Sequence, residues 1–207
     1  MKKILSRAAL LVLTILTLTL GGCGKEADDS AGGSAEKPDA SSLDDVPTAA
    51  SPLARAVTRG DLAAIRTLLD SGAEVDVSDA LGRTPLHMAA FYGRTRATEL
   101  LLASGADIDA RDRIGMTPLH AAVLSGGRHE VELLLNRKAD ANARTDTGQT
   151  PLHLAAATGQ PRVTRVLLAG GADPSVKDKT GKMPIFYASR NQHPITSEVL
   201  RSAVAKN

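Results

Sequence analysis

Five segments of this chain carry one phrase at one spacing: "SPLA" from Ser51, "TPLH" from Thr84, Thr117 and Thr150, and "MPIF" from Met183, each 33 residues after the last without insertion. A fixed period in this range restricts the fold to a solenoid of stacked units. A glycine follows nine residues after each start, at Gly60, Gly93, Gly126 and Gly159, with Gln192 in the last unit. One unit reads as two helices. Thr84 offers a capping hydroxyl and Pro85 suits the first helical position, where the amide hydrogen would have no partner anyway. Leu86, Ala89 and Ala90 supply an apolar face, and Gly93 suits a left-handed residue that ends the helix. A second helix presents Leu100, Leu101 and Leu102 to the same layer and ends near Gly105. "ADIDARDRIG" then carries a short extended turn to the next unit.

The "G-x-TPLH-x-AA-x-x-G" core and the "LL-x-x-GAD" exit, repeated in register, resemble ankyrin repeats. The resemblance covers Ser51 to about Ala205. It implies an all-α solenoid of paired antiparallel helices with hairpin-like loops projecting at right angles and a concave face. The units are 51–83, 84–116, 117–149, 150–182 and 183–207: three full units between a degenerate first and a truncated fifth. Two departures stand out. Lys138 occupies the place of Gly72, Gly105 and Gly171, so it should adopt a left-handed conformation at a cost of about 1 kcal/mol. Thr145 replaces the loop aspartate seen as Asp79, Asp112 and Asp178. Unit three, or its junction with unit four, is therefore the expected weak point, because stability in such chains is roughly a sum over neighbours. Arg55 in the first unit and the polar run "TSEVLRSAVAKN" in the last have the character of caps.

His87, His120 and His153 recur once per unit, which sets the distance between them. Packed helices lie about 8 to 10 Å apart, whereas a zinc ion needs ligands about 2 Å away on converging vectors. Equivalent histidines of successive units are thus badly placed to share a metal. The resemblance implies a structural role, a hydrogen bond tying the helix start to neighbouring backbone. His129 and His193 have no partner histidine at metal spacing. No G-x-S-x-G turn, phosphate loop or paired-carboxylate pattern emerges elsewhere, so the expectation is no enzyme, no cofactor and no metal.

Recognition falls to the positions that the repeat leaves free. In the family, the two residues before the helix-ending glycine line the concave face. Only unit two has aromatics there, Phe91 and Tyr92, which makes them the first binding candidates; the alternative is that they fill a gap in the core. Loop tips add Leu81, Arg83, Arg113, Ile114 and Met116, with Leu124 next along the groove. An apolar strip rimmed by arginines suits a protein partner. A monomer is expected.

The N-terminus reads as an address. Lys2, Lys3 and Arg7 precede an apolar core from Leu10 to Leu20, the pattern of a signal peptide over residues 1–22. "LGGC" then leads into Cys23, the only cysteine, and resembles a bacterial lipobox, which implies lipid attachment there. Without a second cysteine no internal disulfide can form. Residues 24–50 are rich in Gly, Ser, Ala, Asp and Pro, with seven acidic side chains against two lysines and only Leu43 and Val46 as larger aliphatics. That composition is expected of a disordered spacer, so residues 23–50 are read as the lipidated cysteine and its linker. The expected location is the bacterial envelope, membrane-anchored without spanning. The absence of aspartate at Gly24 favours an outer membrane facing the periplasm, if the source is Gram-negative.

From Ser51 onward 20 Lys and Arg face 16 Asp and Glu, a modest and scattered excess. Together with few aromatics this argues against nucleic acid. Two functional classes remain: a tethered module for protein–protein interaction, or an inhibitor or immunity protein that blocks a toxic or hydrolytic envelope enzyme.

Overall fold

A proline in the first helical position opens the first helix of every unit. The computed structural model describes residues 51–205; the expectations of a signal peptide over 1–22, of lipidation at Cys23 and of a spacer over 24–50 fall outside the described residues. Ser51 caps α1 (Pro52–Arg59) by accepting the Ala54 amide at 3.1 Å. Threonine precedes α3 (Pro85–Phe91), α5 (Pro118–Leu124) and α7 (Pro151–Ala157). Met183, whose side chain offers no cap, precedes α9 (Pro184–Arg190). The second helices are α2 (Leu62–Asp70), α4 (Thr95–Ala103), α6 (Arg128–Asn136), α8 (Pro161–Ala169) and α10 (Pro194–Val204).

Helices of seven to eleven residues are too short to persist alone in water, so their stability comes from stacking. First helices pack on first helices along the chain, second helices on second helices, and each first helix on its own second. The architecture is the expected all-α solenoid, with no strand among the described residues. Leu53, Leu86, Leu119 and Leu152 are buried on the first helices, and Ile65, Leu101, Leu134, Leu167 and Leu200 on the second. Each such side chain contributes about 1.5 to 3 kcal/mol on burial. The three leucines expected to share one layer divide: Leu101 is fully buried, while Leu100 and Leu102 are half-buried. Successive helical residues point about 100° apart, so three in a row cannot all face one neighbour.

Between units the backbone forms hairpin-like loops. Asp79 N–H donates to the Arg83 carbonyl at 3.0 Å, closing the first, and equivalent bonds close the others at Asp112, Thr145 and Asp178. Each loop then binds the one before it: Arg113 N–H to the Leu81 carbonyl, Asp146 N–H to that of Ile114, and Lys179 N–H to that of Thr147, all at 3.0 Å. A parallel set of side-chain links runs beside it. Asp76 accepts from the Asp107 amide at 3.1 Å, Asp109 from the Asp140 amide at 3.0 Å, and Asn142 from the Asp173 amide at 2.8 Å.

Lys138 is left-handed as expected, with φ 73°, and Gln192 joins it at φ 61°. Thr145 accepts the Gln149 amide through its hydroxyl at 3.2 Å. The carboxylate of Asp112 instead accepts two amides, from Ile114 and Met116. Because a side chain costs about 1 kcal/mol in the left-handed region, Lys138→Gly should raise unfolding free energy by that order in urea titration. Gly115→Ala should do the opposite: φ is +75° there, and a Cβ would lie 2.9 Å from the Asp146 amide nitrogen.

Candidate protein-interaction face

Each repeat histidine is held at both ring nitrogens. His87 Nδ1 accepts the Thr84 amide at 3.2 Å, and Nε2 donates to the Met116 carbonyl at 3.0 Å. His120 does the same between Thr117 and Gln149, and His153 between Thr150 and Lys182. An amide can only donate and a carbonyl only accept, so the ring is fixed as the neutral Nε2–H tautomer. All three are buried. Burial pushes their pKa values down, that of His120 to about 4, although the bonded carbonyls pull the other way. Among the described residues no group of three His, Cys, Asp or Glu is placed to hold a metal.

The loop aspartates are likewise occupied. Burial would raise the Asp79 carboxyl, but bonds from the Arg83 side chain and from the Arg83 and Leu81 amides outweigh it and hold the group below its usual range. Asp178 is brought to about 2 in the same way, against burial, by Tyr187, Thr180 and the Thr180 and Lys182 amides. Arg83 is consequently not a free rim residue. Its guanidinium folds onto Asp79 at 2.6 Å within its own loop.

Phe91 and Tyr92 are 39% and 44% exposed. Their rings meet edge to face at 5.3 Å. Leu81, Ile114 and Leu124 are also exposed, Arg113 projects into solvent, and Met116 is half-buried with its carbonyl held by His87. Reasoning from sequence passed over Met88, half-buried on α3. It sits three and four residues before Phe91 and Tyr92, hence beside them on the helix. The fifth unit adds Phe186, exposed beneath the Lys182 ammonium at 4.6 Å.

The charge is segregated, where the sequence suggested scatter. First helices and hairpin-like loops (51–59, 78–91, 111–124, 144–157 and 177–190) carry ten Lys and Arg against four Asp. The remaining described residues carry nine against twelve acidic groups. Asp79, Asp112 and Asp178 are committed to loop amides, and Asp146 pairs with Arg111 at 3.4 Å. Arg59, Arg113, Lys179 and Arg190 are exposed and form no ion pair among the described residues. The face is therefore apolar in unit two and cationic around it.

The sequence profile of the family described as ankyrin repeats, in three copies, matches residues 32–112, 53–144, 112–178 and 128–207. The chain is an ankyrin repeat protein. No curated protein matches it. Ankyrin repeats are generally protein–protein interaction modules, typically non-enzymatic, which accords with a broad preformed surface rather than an enclosed pocket. Among its described residues this ankyrin chain has no helix long and apolar enough to cross a membrane.

A second-helix residue that the repeat pattern hid is Glu130, 1% exposed on α6. It accepts the Thr95 hydroxyl at 3.0 Å and the Thr98 hydroxyl, linking units two and three. Burial raises its pKa despite these bonds. Removing the carboxyl by Glu130→Ala strands two hydroxyls and leaves a cavity, and should cost about 2 to 3 kcal/mol in denaturant titration.

The histidines set the acid response. Their folded pKa values lie below the unfolded value of 6.5, so the unfolded chain takes up protons first and stability falls as pH drops from 6.5 toward 4. For His120 alone the loss over that window is about 3 kcal/mol, at 1.36 kcal/mol per pH unit. Urea midpoints measured from pH 7.5 to 4.5 should decline accordingly, and His120→Gln should flatten the slope.

Proposed function

We propose that this ankyrin protein is a lipid-anchored, extracytoplasmic module that binds a protein partner through the first-helix and loop face, with Phe91 and Tyr92 as anchors and the surrounding cations selecting an acidic surface. The observation that carries the reading is the coincidence of two exposed aromatics in edge-to-face contact with the positively charged half of the solenoid. Aromatic anchors inside a polar rim are the usual distribution of binding energy in protein interfaces. Rigid presentation lowers the entropy lost on association. Membrane attachment rests on the lipobox-like "LGGC" and Cys23, and delivery on the segment before it. In a Gram-negative source, Gly24 in place of an aspartate after Cys23 supports attachment to the outer membrane, facing the periplasm.

Crosslinking and pull-down from envelope fractions tests the face. Phe91→Ala/Tyr92→Ala, folded by circular dichroism, should weaken capture of the wild-type partner by tenfold or more, since central aromatics typically contribute about 2 kcal/mol or more. Arg113→Glu/Lys179→Glu should weaken it further at low salt than at high salt, because exposed charges are screened. Capture unaffected by both pairs would place binding elsewhere. Retention of nucleic acid, steeply salt-dependent and lost only from the charge variant, would replace the protein reading. For the anchor, Cys23→Ser should abolish incorporation of labelled fatty acid and move the protein to the aqueous phase on detergent partitioning.

A further inference from the structure

We infer that the turn after α3 holds a slot that a partner protein fills with a planar N–H donor, a guanidinium, amide or imidazole, set on the Phe91 carbonyl. Resting on the interaction face proposed above, the slot adds what the partner presents beside the aromatic anchors. The last carbonyls of a helix have no partner within it, and at three seams the next unit supplies one. Arg94 Nε and Nη2 donate to the Thr58 carbonyl at 3.1 and 2.9 Å. Gln160 Nε2 donates to that of Val123 at 3.0 Å, and His193 Nε2 to that of Ala157 at 3.2 Å. The three residues occupy one repeat position, and what their side chains share is a flat group carrying N–H.

Unit three has Gly127 at that position. Among the described residues no side chain bonds the Phe91 carbonyl, the equivalent of those of Thr58 and Ala157. The space over the turns differs accordingly. A Cβ built on Gly60 would meet Arg94 at 3.4 Å, one on Gly126 would meet Gln160 at 3.8 Å, and one on Gly159 would collide with the His193 ring. A Cβ on Gly93 would meet nothing within 4 Å. Around this place Phe91, Tyr92 and Gly93 are exposed, as are Leu124, Ser125 and Gly126 of the neighbouring turn. The missing donor and the paired aromatics therefore fall on one and the same turn. Glu130 already ties these two units through Thr95 and Thr98, so the seam does not need the donor for itself.

Gly127→Gln tests the slot by filling it from within the chain. The backbone there has φ −72°, open to any residue, and the atom nearest to a Cβ is the Ser125 hydroxyl oxygen at 3.3 Å. The variant should raise the urea midpoint. It should also weaken crosslinking of the protein that the unaltered chain captures from envelope fractions by about tenfold, the order expected for one hydrogen bond shielded from water. Gly127→Met, of similar length and without a donor, should leave capture close to that of the unaltered chain. In the captured protein, alanine in place of each Arg, Gln, Asn and His of the crosslinked segment should reveal one whose loss weakens binding to the unaltered chain but not further to Gly127→Gln, as coupled sites do in a double-mutant cycle. A midpoint that falls in Gly127→Gln, equal losses for Gly127→Gln and Gly127→Met, or losses that add across the cycle overturn the slot and leave the face standing. Capture indifferent to Phe91→Ala/Tyr92→Ala would remove the face and the slot with it.

Discussion

Three neutral imidazoles hold the repeats in register. Each binds the amide that starts its own helix and the carbonyl of the residue just before the next unit's first residue (Thr117, Thr150 or Met183), 29 positions further on. The unit is fastened to its successor by one ring with no freedom to choose its tautomer. A residue inserted between the histidine and that carbonyl would break the link, which accounts for the 33-residue spacing from unit two to unit five; unit one has Ala54 at the histidine position. It also makes proton uptake by these rings incompatible with the folded arrangement, so the stack depends on their remaining uncharged.

The same rigidity makes the interaction face usable. Loops bound in sequence to one another cannot splay, so the exposed apolar tips and the surrounding cations keep fixed positions. The seams beneath are not equivalent, however. Arg94, Gln160 and His193 each reach back to a carbonyl at the end of the preceding first helix, Thr58, Val123 and Ala157 respectively. Unit three has Gly127 at that place and offers no such side chain. There Glu130 on α6 ties the two units instead, through Thr95 and Thr98 of α4.

How much of this could be read beforehand depended on range. Caps, helix starts and the left-handed Lys138 follow from bonds within a few residues, and period and phrase were enough to place them. The burial of Glu130 did not follow, because a glutamate on a second helix normally faces water, and only a threonine pair 32 and 35 residues earlier makes its position tolerable. Arg83 looked like a rim residue until Asp79 claimed it. Segregation of charge was invisible in a linear count, since loop and first-helix residues alternate with second-helix residues along the chain and are sorted only by stacking. The links made by Asp76, Asp109 and Asn142 did leave a trace, an acceptor repeated every 33 residues, legible once one knows to look for it.

The loop-to-loop bonds carry a consequence for how such a chain can change. Each joins a residue to one 32 places earlier, and the histidine and aspartate links keep their own constant offsets. All are satisfied again if a whole 33-residue unit is copied between two existing units, and none survives a gain of one or two residues inside a unit. The molecule can therefore grow or shrink only in quanta, lengthening its face by duplication while its seams stay chemically unchanged.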